Sequence, residues 1–135
     1  MLKIRKEQFE AFEAKTDDEI VDFIVKHLRE EGPDLVGNLP SLPEMVRNGM
    51  ARARSHGLRS LEDLTAFVSI MFEVAPNFDE HPKLRRVLDN ERVPVEERLD
   101  GLFESELDKA WDEAARYDGA AWAEAWFPEL KQAEG

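Results

Sequence analysis

The side chains able to carry acid–base or metal chemistry are few and scattered. Three histidines, His27, His56 and His81, stand far apart, and none pairs with a second ligand at the i, i+4 spacing that puts two donors on one helix face. Asp79-Glu80-His81 is the one local cluster of ligand types. It runs directly into Pro82, so it reads as a capping turn ahead of a helix before it reads as a catalytic or metal site. Adjacent acids such as Glu96-Glu97 and Asp112-Glu113 point in different directions on a helix and make a solvated face, not an acid–base pair. There is no cysteine, hence no thiolate nucleophile, disulfide framework or zinc ribbon, and that usage fits a reducing, cytoplasmic setting. Glycine-rich phosphate loops, a Gly-x-Ser-x-Gly elbow and a dinucleotide fingerprint are also absent. The sequence therefore predicts no catalytic residues, no cofactor and no metal.

Charge says more than motifs. The chain holds 30 acids against 18 bases, a formal net charge of −12, which repels phosphate backbones and anionic lipid and argues against nucleic-acid or membrane partners. Residues 68–135 carry 17 acids and 8 bases and so most of that charge. Residues 45–60, by contrast, contain Arg47, Arg52, Arg54 and Arg59 with His56 and no acid. This basic stripe can meet the chain's own acidic C-terminal helix or grip an acidic strip on another protein. Arg47 and Arg54, seven apart, nearly share a helix face over roughly 10 Å and are candidate partner-binding residues. A helix-turn-helix reading of the same region fails, because residues 61–75 are apolar and carry only Glu62, Asp63 and Glu73 as charges. Aromatics concentrate near the end, where Trp122 and Trp126 are candidate anchors for a protein partner and Trp111 is a candidate core residue.

Helices must position these residues. Thr16-Asp17-Asp18-Glu19 has the form of a capping box, and Ile20, Phe23, Ile24, His27 and Leu28 follow at helical spacing up to Gly32-Pro33. A short helix over 5–14 precedes it, carrying Phe9 and Phe12. Residues 32–43 read as a loop. Ser41-Leu42-Pro43-Glu44 then opens a helix that stops at Gly57, with Gly49 and Ala53 as a notch for a close neighbour. Ser60 caps a helix apolar on most faces, the expected centre of a bundle, with Phe67 and Phe72 as core. A short helix with Leu84, Val87 and Leu88 follows. One long helix is expected over 95–117, with Leu99, Leu102, Phe103, Leu107, Ala110, Trp111 and Ala114 on one stripe, and a short aromatic one over 119–127. No segment alternates as a strand does, and no apolar run nears the roughly 18 residues of a membrane span. At 135 residues the chain predicts a single all-α domain, a compact bundle of five to seven helices without sheet, with residues 118–135 as a peripheral aromatic tail.

Ile4-Arg5-x-Glu7-Gln8, Val46-x-x-Gly49-x-x-Arg52-Ala53-x-x-His56-Gly57-Leu58-x-Ser60-x-x-Asp63, Met71-Phe72 and Pro76-x-Phe78-Asp79-x-x-Pro82 form a pattern. It resembles small helical proteins encoded beside spike-tip and effector genes of bacterial type VI secretion systems. The likeness covers residues 2–103, and its motifs are packing and turn residues. The resemblance implies a non-enzymatic adaptor or co-chaperone whose partner is a secreted effector, its adaptor chaperone or a spike component. Two alternatives remain open: an immunity protein whose acidity steers it to a basic toxin, and a small enzyme built on Asp79-Glu80-His81.

Overall fold

The computed structural model of the chain describes residues 16–37, 39–116 and 125–127. The fold is an all-α bundle, and no strand occurs among the described residues. Helix α1 (Asp17–Glu31) starts as its capping residues dictate: Thr16 is extended and its hydroxyl accepts the Glu19 amide at 3.2 Å. Val21, Ile24, Val25 and Leu28 form its buried stripe. Within the segment expected as loop, Pro33 nucleates one helical turn, α2 (Pro33–Val36), which buries Val36.

Helix α3 (Leu42–Ser55) begins without the capping box the sequence suggests. Ser41 sits at φ −92°, ψ 13°, outside the extended region from which a cap hydroxyl reaches the first turn, and its side chain makes no cap bond. Its far end is as expected. Gly57 takes φ 89°, its amide bonds the Arg54 carbonyl at 2.9 Å, the Leu58 amide bonds Ala53 at 3.3 Å, and Leu58 is buried. These are the paired bonds and apolar contact of a Schellman cap.

Helix α4 (Leu61–Glu73) is the centre of the bundle. Ser60 accepts the Asp63 amide at 3.1 Å, and Leu64, Phe67, Val68, Ile70 and Met71 are buried. Thr65 and Ser69 are buried too, each hydroxyl returning to the carbonyl four residues earlier at 2.7 and 2.8 Å. Phe72 is only partly buried. Helix α4 packs most extensively against α3, and the approach is close at Gly49: a Cβ there would stand 3.0 Å from Val68 Cγ2 and 3.1 Å from Met71 Sδ.

After α4 the chain makes a 3-10 turn (Phe78–Glu80) and then α5 (Pro82–Leu88). The long helix expected over 95–117 is two helices, α6 (Val95–Gly101) and α7 (Asp108–Ala114), separated by a 3-10 turn (Ser105–Leu107). The break has a visible cause. Glu104 is extended at φ −66°, ψ 139°, and the Leu102 carbonyl, which a continuous helix would offer to residue 106, instead accepts the Trp111 indole N–H at 2.8 Å. Trp111 is thereby only partly buried, packed on the core, and Phe103 is exposed where the single stripe would have hidden it. The helix expected over 5–14 and most of that over 119–127 lie outside the described residues.

Candidate functional site

The C-terminal end of α3 puts Arg52 and His56 four residues apart on one face, where they meet the 3-10 turn and the end of α5. Asp79, 4% exposed, receives both. Arg52 brings Nε and Nη2 within 2.8 and 2.7 Å of Asp79 Oδ1, and His56 Nε2 lies 2.7 Å from Oδ2. The other ring nitrogen of His56, Nδ1, lies 2.7 Å from Asp89 Oδ1 at the cap of α5. Arg52 also reaches Glu80 at 3.4 Å, and Asp89 reaches Arg85 at 3.5 Å.

A neutral imidazole has one N–H, so carboxylates on both nitrogens are satisfied together only by the imidazolium. Burial disfavours that charge, but the hydrogen bonds to Asp79 and Asp89 outweigh it and raise the His56 pKa. Burial likewise pushes Asp79 up, and the bonds from His56 and Arg52 more than reverse this, holding it below the usual carboxylate range. The cation also sits at the C-terminal end of α3, where the helix dipole favours it. Such an arrangement clasps three elements and leaves His56 no lone pair for a substrate. Asp79 and Asp89 flank opposite edges of the ring, so the donors do not converge, and no group of three or more metal-ligand side chains is placed to hold an ion among the described residues.

The turn caps the helix as its sequence suggests, but the cap is His81, 5% exposed, and not Asp79, whose carboxylate is taken up by Arg52 and His56. His81 Nδ1 accepts the Lys83 amide at 3.2 Å, and Nε2 donates to Glu113 of α7 at 3.1 Å. That bond, with smaller contributions from His81, Lys109 and Lys83, lowers the Glu113 pKa against the opposing effect of desolvation.

The candidate partner-binding residues fall in different places. Arg47 and Arg54 do share a face, and it is turned to the first turn of α1: Arg47 Nη2 lies 2.5 Å from Asp18, and Arg54 holds both oxygens of Asp17 at 2.8 and 3.1 Å. The acids they meet are therefore N-terminal ones, not those of the C-terminal helix. Trp126 is fully buried, 4.4 Å from the Phe72 ring, and its carbonyl accepts the Asn48 side chain at 2.7 Å. Its indole packs inside its own chain and offers no outward anchor. Beside it lies a largely apolar cavity of about 290 Å³ lined by Leu39, Met45, Met71, Phe72 and Phe127 among others. Trp122 lies outside the described residues.

Sequence reasoning treated the basic stripe and the Asp79 turn separately and missed that they meet. The available signal was the i, i+4 spacing of Arg52 and His56. Among the described residues, the large aromatic side chain that faces outward is Phe103, stacked on Trp111 with centroids 6.2 Å apart and planes 5° from parallel. No family model, curated protein or solved structure matches the chain.

Proposed function

We propose that the protein is a non-enzymatic adaptor or co-chaperone that binds a secreted effector, or the chaperone that loads it, as its resemblance to type VI secretion-associated helical proteins implies. The observation that supports binding over catalysis is the state of His56. It lies in a buried network with Arg52, and both its nitrogens are engaged by Asp79 and Asp89. A general base needs a free lone pair within reach of a substrate proton. A net charge of −12 suits a protein that meets basic partner surfaces and avoids nucleic acid. Loading of an effector before export would place this work in the cytoplasm; no helix among the described residues is long and apolar enough to cross a membrane.

An immunity protein is the second reading, favoured by the same acidity. A tagged pull-down from the native bacterium with mass spectrometry identifies the partner, and the partner's activity then separates the two. A co-chaperone leaves a toxic effector active and improves its solubility or secretion, whereas an immunity protein abolishes its activity. Reproducible recovery of no partner, together with turnover of a substrate by the purified chain, would overturn both.

A further inference from the structure

We infer that the face formed by the end of α6, the turn after it and the start of α7 docks an arginine-bearing basic segment of the partner protein, with Phe103 as the platform on which a guanidinium stacks. This rests on the binding role proposed above and adds to it the place and the chemistry of the contact.

Phe103 ends an aromatic series that starts in the core. Phe67 contacts Phe78 at 4.9 Å, Phe78 stacks on Trp111 at 5.6 Å, and Trp111 stacks on Phe103. Trp111 is fixed by its bond to the Leu102 carbonyl. Phe103 is thus held on a supported ring, yet 47% of it is exposed. A side chain already ordered loses little freedom when a partner covers it, which is what makes such positions effective anchors.

The surroundings select the partner. Residues 95–116 hold eight acids and three bases. Asp100, Glu104, Glu106 and Asp108 all lie within five residues of Phe103 and are exposed. Among the described residues none of the four is in an ion pair. Arg98, the base of α6, is turned away, its Nε and Nη1 donating to the carbonyls of Val93 and Leu88 at 3.0 and 3.5 Å. Lys109 acts electrostatically on Glu113, on the α7 flank that carries the His81 bond. An aromatic ring among unpaired carboxylates attracts cations and repels phosphates and acidic chains. Arginine fits better than lysine because its planar guanidinium stacks on a ring face and sheds water more readily.

Fluorescence anisotropy with fluorescein-labelled nona-arginine and nona-lysine peptides and the full chain tests this. Nona-arginine is expected to bind more tightly. Phe103→Ala should weaken it by about 3- to 30-fold, the range of a partly desolvated cation–aromatic contact, while Phe103→Trp retains it. Glu104→Lys with Glu106→Lys should weaken binding more than Glu30→Lys with Glu44→Lys, an equal change of net charge at exposed positions of α1 and α3. Equal losses from the two reversals, or binding indifferent to Phe103→Ala in a variant that melts like the wild type, would overturn the assignment. Pull-downs with the wild type and Phe103→Ala separate this from the adaptor reading. A partner captured equally by both sinks the face and leaves the adaptor; Phe103-dependent peptide binding with no partner captured and a substrate turned over by the purified chain does the reverse.

Discussion

Asp79 shows how far the role of one carboxylate depends on residues remote from it in sequence. Its partners Arg52 and His56 precede it by 27 and 23 residues. Local reading could see only a turn before Pro82, and a lost cap there would cost about 1 kcal/mol. The structure predicts more. Asp79→Asn would leave Arg52 and His56 facing a neutral amide, and breaking a buried pair typically costs about 3–5 kcal/mol; Arg52, with 23% of its side chain exposed, recovers some hydration, so a loss of about 2–4 kcal/mol is expected in urea melts. Asp89→Asn, at an acid 44% exposed, should cost under about 1 kcal/mol. Equal costs would mean that the clasp does not centre on Asp79. The histidine makes a second prediction. Because the folded pKa of His56 is raised above its unfolded value near 6.5, its contribution is whole below about pH 6.5 and is lost as pH rises through the raised value. The stability gap between the wild type and His56→Gln should therefore be larger at pH 6 than at pH 8.5. His27 titrates with the opposite sign: burial lowers its pKa despite Glu31 and Glu30, so its charging as pH falls disfavours the fold. Since His27 is present in both proteins, the comparison isolates His56. Caps set by neighbours, such as Thr16, Ser60 and Gly57, were legible in the sequence because every atom they need lies within a few residues.

Helices were legible where one apolar stripe meets one neighbour, and obscure where tertiary bonds cut across a regular pattern. The notch at Gly49 and Ala53 does admit a close helix, and its partner is α4. Gly49→Ala places opposing effects on one methyl group. Removing a glycine from a helix interior favours folding by about 1 kcal/mol, but the new Cβ would stand 3.0 Å from Val68 Cγ2. Val68 is β-branched, fully buried and confined to few rotamers, so it cannot turn aside as Met71 could. Overpacking, at about 1–3 kcal/mol, should win, and Gly49→Ala should be destabilising. If that reasoning is right, Val68→Ala paired with Gly49→Ala should be more stable than the two single losses add up to, a coupling that a double-mutant cycle reads directly. The split of the expected 95–117 helix had no such local sign, since Leu99, Leu102, Phe103 and Leu107 keep helical spacing. What decides it is Trp111, whose ring stacks on Phe78 and whose N–H takes the Leu102 carbonyl. An indole bond across nine residues leaves no trace in hydrophobic periodicity.

For the whole molecule, the question is whether its charges hold it together or push it apart. The ion pairs between α1 and α3, Arg47–Asp18 and Arg54–Asp17, are largely exposed, so water and salt leave them little net stabilisation. Against them stands a net charge of −12 on 135 residues, whose mutual repulsion disfavours the compact state. Salt weakens both, since the Debye length is about 10 Å at 0.1 M, close to the span of a single helix turn pair and shorter than the bundle. The buried Arg52–Asp79–His56 contacts are screened much less than the surface. Screening should therefore remove more repulsion than attraction near neutral pH. Raising sodium chloride from 10 to 300 mM at pH 7.5 is expected to raise the thermal midpoint by a few degrees, the shift that about 1 kcal/mol produces in a domain of this size. Near pH 5, close to the sequence pI of about 4.7, the net charge has largely titrated away and the same salt step should leave the midpoint nearly unchanged or lower it slightly. Circular dichroism melts at the two pH values measure both effects on one sample. A midpoint that falls with salt at pH 7.5 would mean that the α1–α3 pairs outweigh the repulsion, and that this acidic surface is offset from within the fold.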